Sequence, residues 1–248
     1  MLGYTVRRIA GTVPTLLILV TLSFFVIRLA PGGPFDQERA LSPQVRANLD
    51  RLYGLDRPLG VQYLHYLEGL AHGDFGRSYK LRDESVAGLI AQGLPVSVTV
   101  GFAALVLATI LGVPLGICAA LRRGGAIDYA VTGLATLAIA LPTFVTGPLL
   151  ALLFGLALRW LPVAGWQQGD FLYLILPAVT LALPVCAAIA RMMRGSLLET
   201  LSASFVRTAR ARGLGPWRVL LRHALRPALL PVVSYLGPAS HTRGPRPD

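Results

Sequence analysis

Three stretches of this chain carry no charged side chain for about the length of a membrane-crossing helix. They cover residues 9–27, 129–158 and 171–190, and a fourth uncharged stretch covers residues 85–121. A bilayer core about 30 Å thick needs roughly 20 apolar residues of α-helix. The sequence therefore excludes an ordinary soluble enzyme and predicts an all-α fold, a polytopic transmembrane helical bundle.

The charge balance agrees with a membrane protein. Of the 248 residues 54% are hydrophobic and 14% charged, whereas soluble domains carry about 25% charged residues. A net charge of +11 would suggest nucleic-acid binding, but the arginines flank apolar stretches, where basic residues retain loops in the cytoplasm. No nucleic-acid partner is therefore expected. The four histidines are scattered without ligand spacing, and both cysteines lie inside apolar stretches, so no metal site is predicted. No catalytic residue is predicted either.

The first half of the chain divides into one span and a polar insert. Residues 1–29 form a cytoplasmic N-terminus and span 1, and residues 30–94 form an external insert. Within the insert we expect short helices over Ser42–Tyr53 and about Val61–Ala71. The uncharged stretch 85–121 is too long for one span, so we divide it at Gly93-Leu94-Pro95 into an interfacial helix and span 2.

Residues 95–190 contain spans 2 to 4. Span 3 covers about residues 128–158, where Pro142 and Pro148 predict kinks, and span 4 covers about residues 171–190. Residues 227–240 begin a fifth span that stops short, and residues 241–248 form an atypical polar tail. The prediction is four complete spans plus a partial fifth, with the N-terminus in the cytoplasm.

Residues 191–226 combine eight arginines with one acidic residue. We predict a cytoplasmic helical hairpin: a helix over Glu199–Arg212, a left-handed cap at Gly213, and a second helix over Pro216–Leu225. Composition alone leaves three interpretations open. The segment is a basic loop that fixes topology, a docking element for another protein, or a DNA-reading hairpin with little reach.

Several motifs lie in order along residues 4–238. They are Arg7-Arg8 and residues 28–32, 55–63, 73–78, 114–124, 205–214, 222–226 and 229–233. Together they resemble one family, the permeases of binding-protein-dependent ABC importers, in their peptide/nickel branch. Two departures stand out. Arg207-Thr208-Ala209 replaces the family's Glu-Ala-Ala before Gly213, and Pro227 replaces a usual Asn.

The resemblance implies a permease subunit that forms part of a pathway for peptides or related small solutes in the bacterial or archaeal cytoplasmic membrane. The implied partners are membrane lipid, a second permease subunit, two ATPase subunits and an extracytoplasmic substrate-binding protein. ATP and Mg would be bound by the ATPases, and no cofactor by this chain. The resemblance places ATPase coupling on the hairpin, at Phe205, Arg207, Thr208, Ala209, Arg210, Ala211, Arg212, Gly213 and Leu214. Helix docking in a groove suits this segment, because arginines that can pair with carboxylates lie beside an apolar side formed by Phe205, Val206, Ala209 and Leu214.

Hydroxyl groups inside the spans are candidate contacts for peptide backbones, because no acidic or basic residue is expected mid-span. The candidates for this substrate pathway are Thr132, Thr136, Thr143, Thr146 and Thr180. Each also suits ordinary helix packing or a bond to its own backbone. Dipeptides, oligopeptides, nickel chelates and glutathione all remain open as cargo.

Two alternatives to a working permease follow from the same residues. Family members continue through complete fifth and sixth spans, so the chain is expected to be truncated at its C-terminus and, in one hypothesis, non-functional. The other alternative is an intramembrane enzyme, which would need a catalytic cluster near a span end. Asp128 and Asp170 are predicted at opposite faces of the membrane and would not cooperate.

Overall fold

The computed structural model describes residues 2–29, 54–78, 84–167 and 170–236, with residues 44, 51 and 81 as single positions. Within these residues regular structure is helical apart from one isolated bridge between Arg77 and Ser85. The all-α prediction is confirmed there. The helices are α1 (Leu2–Leu29), α2 (Leu59–Ala71), α3 (Val86–Leu121), α4 (Ala126–Ala140), α5 (Thr143–Leu150), α6 (Leu172–Ser202), α7 (Ser204–Ala211), α8 (Pro216–Arg218) and α9 (Leu225–Leu236).

Two π-helical segments extend this series. Ala151–Ala157 continues α5, and Val219–Ala224 joins α8 to α9. The expected helix near Val61–Ala71 is present as α2. The expected helix Ser42–Tyr53, the end of the partial fifth span and the tail 241–248 lie outside the described residues, apart from Gln44 and Arg51, which are helical.

Three helices are long and apolar enough to cross a bilayer: the segment Ala10–Leu29 of α1, then α3 and α6. A fourth candidate is the pair formed by Ala126–Ala140 and Thr143–Ala157, which is bent by 103° at Leu141-Pro142. The kink expected at Pro142 is therefore present as a sharp break, whereas Pro148 lies inside α5.

Three helix boundaries differ from the sequence prediction. The division at Gly93-Leu94-Pro95 is wrong, because α3 runs unbroken for 36 residues. A proline inside an apolar helix forfeits one backbone hydrogen bond, whereas a full break would leave several polar groups without partners. The helix expected over Glu199–Arg212 is interrupted at Ala203, whose backbone is extended (φ −66°, ψ 150°). The second hairpin helix does not stop at Leu225, since α9 continues to Leu236.

The chain forms two compact units, Met1–Pro95 and Val96–Asp248, with the boundary inside α3. In the first unit, Gln62 of α2 is buried and its amide donates to the carbonyls of Leu55 and Arg57, at 3.1 and 2.6 Å. Arg28 Nε donates to Gln62 Oε1 at 2.5 Å. Gln62 thus joins the end of α1 to the turn before α2, which gives the 55–63 motif a structural role.

Aromatic side chains complete the contact between α1 and α2. Phe24 is 3% exposed and packs against Tyr63 and Tyr66 at ring centroid distances of 5.3 and 5.5 Å. The Arg28 guanidinium lies 4.4 Å from the centre of the Phe24 ring. The Tyr63 hydroxyl shares a 2.7 Å hydrogen bond with Thr21, so one polar contact lies within an apolar helix face.

In the second unit, α3 packs against α6 through small residues spaced four apart. The buried residues of this α3 stripe are Ala104, Ala108, Gly112, Gly116 and Ala120. A Cβ atom on Gly116 would lie 2.5 Å from the Ala190 carbonyl oxygen, and one on Gly112 would lie 2.8 Å from that of Cys186. Such closeness lets backbones approach directly, the usual basis of helix association in membranes. A second stripe on the chain after Pro216 packs against α6 with Ala224, Ala228 and Val232 buried.

Candidate functional site

The predicted hairpin consists of α7, a short turn and α8 with its π-helical continuation. Helix α7 contacts both α6 and the Val219–Ala224 segment. Two of its side chains point into this contact: Val206 is fully buried and Ala209 is 6% exposed. Helix α7 is therefore attached to the body of the second unit by its apolar side.

Gly213 ends α7 as the sequence predicts. Its φ of +77° lies in the left-handed region that favours glycine. The Gly213 N–H donates to the Arg210 carbonyl at 2.9 Å and the Leu214 N–H to the Ala209 carbonyl at 3.4 Å, which is the Schellman pattern. Pro216 then begins α8. The turn is thus fixed by the backbone rather than by side-chain contacts.

The outward side of α7 differs from the apolar docking side that the sequence suggested. We expected Phe205, Val206, Ala209 and Leu214 to form that side, but Val206 and Ala209 are turned inward. The apolar periodicity of α7 satisfies the packing of the chain's own core instead. Phe205 is 48% exposed, and the other exposed positions are Arg207, Thr208, Arg210, Ala211, Arg212 and Gly213.

This outward set, which we call the α7 face, presents one aromatic ring among cationic groups. In the part of the second unit that the structure describes, the one ion pair joins Arg194 to Asp128, so the α7 arginines have no carboxylate partner there. Beside them lies a groove of about 360 Å³ between the ends of α3 and α6 and the hairpin. Its lining includes Leu121, Leu201, Arg210 and Trp217, and Trp217 is 70% exposed.

Asp128 and Arg194 form a contact that sequence reasoning missed. The Asp128 side chain is 6% exposed, and its two oxygens accept from Arg194 Nε at 2.5 Å and Nη2 at 2.7 Å. The backbone N–H of Gly124 donates to the same carboxylate at 2.9 Å, and the Thr132 hydroxyl contacts it at 3.4 Å. This bidentate pair joins the α3–α4 turn and α4 to α6.

The sequence contains only a weak indication of this pair. Asp128 is an acidic residue in the first turn of a helix, a position favoured by the helix dipole, and it follows Arg122-Arg123-Gly124-Gly125. Arg194 is one of eight arginines in residues 191–226, and the sequence alone does not distinguish it from the others. No periodicity connects residues 66 positions apart, so the partnership emerges only from the fold.

The five candidate pathway threonines do not form one cluster of free hydroxyls. Thr136, Thr146 and Thr180 donate to carbonyls of their own helices or helix starts, and Thr132 donates to Asp128. Thr143, at the start of α5, is exposed, and no hydrogen bond of its hydroxyl occurs among the described residues. Thr180 lies against Gly147, where α5 meets α6.

Comparison with known proteins gives matches along most of the chain. The family described as "Binding-protein-dependent transport system inner membrane component" matches residues 112–240, and its N-terminal companion family matches residues 1–101. The oligopeptide transport system permease protein OppB of Escherichia coli K12 is 52% identical over 239 residues, which are 96% of this chain and 78% of that protein. OppB of Haemophilus influenzae is 49% identical over the same shares of the two chains. The dipeptide transport system permease protein DppB of Bacillus subtilis is 40% identical over 96% of this chain and 76% of its own.

Proposed function

The chain belongs to the family of binding-protein-dependent transport system inner membrane components, so it is a permease subunit of an ABC importer in the inner membrane, and we propose that its cargo is oligopeptides. The observation that carries the proposal is 52% identity to an oligopeptide permease along 96% of the chain. Importers of this kind work with another permease, ATPases and a binding protein. We further propose two ATPase subunits, which bind ATP and Mg, and an extracytoplasmic peptide-binding protein.

The arginine distribution supports a specific topology. Arg7 and Arg8 precede the apolar part of α1, Arg122 and Arg123 follow α3, and the hairpin arginines follow the apolar part of α6. By the positive-inside rule these three positions belong to the cytoplasm. The N-terminus and the hairpin are then cytoplasmic, the insert 30–94 is external, and the bent α4–α5 pair is the third of four spans.

We assign ATPase coupling to the α7 face. A protruding aromatic ring with cationic neighbours suits a groove that has an apolar pocket and an acidic rim. Phe205 would fill the pocket, and Arg207, Arg210 and Arg212 would pair with carboxylates. Val206 and Ala209 have a different task, since they attach α7 to α6 and the returning chain.

This attachment provides a route from the ATPase to the spans. A displacement of α7 is transmitted to α6, because Val206 and Ala209 belong to the same close-packed buried cluster as Met193 and Leu197 of α6. ATP-driven closure of the ATPases would therefore shift the population between inward-open and outward-open states. The Asp128–Arg194 pair extends the same rigid body to α4.

The experiment tests whether the α7 face contacts the ATPase, as distinct from the packing of α7 against its own chain. In the assembled importer, Phe205→Ala combined with Arg207→Gln should reduce ATP-driven peptide uptake by proteoliposomes about tenfold, as expected for losing an exposed anchor and a charged contact. Arg222→Gln is the matched control, because Arg222 is also exposed but lies on the returning segment. Assembly and ATP hydrolysis are measured alongside. Unchanged uptake in the double variant would disprove the assignment of coupling to this face.

A further inference from the structure

The bent pair α4–α5 contains non-helical backbone between two apolar helices. Leu141 (φ −81°, ψ 118°) and Pro142 (φ −62°, ψ 142°) are both extended, and the helices on either side meet at 103°. Pro142 has no N–H, so the Ala138 carbonyl lacks its helical donor. The Val145 N–H donates to the Pro142 carbonyl, so the Leu141 carbonyl does not receive this N–H as it would in a continuous helix. At least two backbone carbonyls thus lose their helical partners at this break.

Two distances measured along the helices place the break at membrane depth. It begins after Ala140, about 18 Å along α4 from Asp128, at 1.5 Å per residue. On α6, Thr180 packs beside Gly147 of α5 and lies about 21 Å along the helix from Arg194. Since Asp128 and Arg194 are paired, both measures start from the same level. Arg122 and Arg123 mark this level as the cytoplasmic edge of the bilayer, and a hydrocarbon core is about 30 Å thick, so we infer that the break falls inside it.

The break is also exposed on the surface of this chain. Leu141 is 46% exposed and Phe144 is 77% exposed, and Ala140, Pro142 and Thr143 are exposed as well. Unpaired backbone carbonyls do not face lipid, because each costs several kcal/mol in hydrocarbon. Non-helical backbone at this depth occurs where it is buried in protein or lines a water-filled cavity. The surface around Leu141-Pro142 therefore does not face lipid.

A dry contact with another protein segment would satisfy the same carbonyls only if it placed a side-chain donor at each of them. Water and a passing peptide, in contrast, both supply N–H or O–H donors. We propose that the break, with the Thr143 hydroxyl beside it, lines the translocation pathway and contacts the backbone of the cargo peptide. This inference rests on the proposed function, because it takes peptide as the cargo.

The chemistry fits a cargo of varied sequence. Carbonyls accept hydrogen bonds from peptide N–H groups, and a hydroxyl both donates and accepts. Neither group distinguishes one side chain from another. Of the five threonines predicted for the pathway, Thr143 is the one whose hydroxyl has no partner among the described residues, so this inference selects it from that set.

The experiment is cysteine accessibility in the assembled importer in proteoliposomes. Cys118 is first replaced by serine and Cys186 by alanine. The resulting cysteine-free parent importer is assayed for uptake of an alanine pentapeptide. Thr143→Cys and the control Ile110→Cys are then introduced singly. Ile110 is 62% exposed within the unbroken helix α3. Both are treated with a membrane-impermeant methanethiosulfonate, with and without a non-hydrolysable ATP analogue.

We expect Thr143→Cys to react at least tenfold faster than Ile110→Cys in one of the two nucleotide states, and the pentapeptide to slow this reaction several-fold. Absence of reaction in both states, or equal rates at the two positions, would overturn the inference that the break is wet. Reaction without peptide protection would overturn the contact with cargo. A failure of the proposed function would be seen separately, as a parent importer that does not take up peptide.

Discussion

The polar groups at the two ends of α4 differ in whether they have hydrogen-bond partners. At its start, the Asp128 carboxylate is buried and accepts from Arg194, Gly124 and Thr132. At its end, the break at Leu141-Pro142 exposes backbone that has lost helical hydrogen bonds. At the first end the hydrogen-bond partners come from the same chain, whereas the carbonyls at the second end need partners from outside this chain.

This difference teaches how one span supports both rigidity and transport. A buried carboxylate paired with a partly exposed arginine holds three parts of the chain in one geometry, because a displacement leaves the carboxylate without its partner. A break with open hydrogen-bonding capacity exchanges partners at little cost, as a peptide pathway requires. Substitutions at the first end should therefore affect stability, and those at the second should affect transport.

The largest effect is expected from Asp128→Ala. The Arg194 side chain is 29% exposed, so removing its carboxylate partner costs about 3 kcal/mol, the lower end of the range for breaking a buried pair. The midpoint of thermal unfolding of the detergent-solubilised importer should fall accordingly. Glu199→Ala is the control, because Glu199 is an exposed acid on the same helix as Arg194. A double replacement, Asp128→Ala with Arg194→Met, should recover part of the loss, and failure to recover any would contradict a specific pair.

A smaller loss of stability is expected from Gly116→Ala. This variant tests whether stability at the Asp128 end of α4 also depends on the packing of α3. The new Cβ would lie 2.5 Å from the Ala190 carbonyl oxygen and 2.7 Å from the Met193 Cβ, so α3 and α6 must separate. Overpacking of this kind costs about 1–3 kcal/mol. Gly101→Ala on the same helix meets no atom within 4 Å and should be neutral or slightly stabilising. Equal unfolding midpoints for the two variants would refute the close α3–α6 contact.

The sequence predicts those structural features that depend on the residue itself and its immediate neighbours in the chain. The left-handed Gly213 and the start of α8 at Pro216 follow from backbone preferences of those residues, and both are confirmed. The apolar stretches predict helices because a bilayer requires them. The continuity of α3 through Pro95 was not predictable in this way, since it depends on what the surroundings offer to the freed carbonyl.

The candidate sites were predictable only in outline. An apolar stripe on α7 indicates a buried face, but the same periodicity suits the chain's own core and a partner's groove, and Val206 belongs to the core. The Asp128–Arg194 pair joins residues far apart in sequence, so no spacing indicates it. Thr143 differs from Thr136 and Thr146 only through the backbone break beside it.

The smallest effect on stability, and the sharpest test of the comparison, is expected from Pro142→Ala. Alanine restores the N–H that the Ala138 carbonyl lacks and favours a helix through residues 140–143. Because the break is exposed and contributes little packing, stability should change by less than about 1 kcal/mol. Peptide uptake should nevertheless fall several-fold, since the open carbonyls are withdrawn into a helix. Pro148→Ala, a proline inside α5 and away from the break, should leave uptake unchanged. If Pro142→Ala instead lowered the unfolding midpoint as Asp128→Ala does and spared uptake, both ends of α4 would be structural, and the contrast between them would not hold.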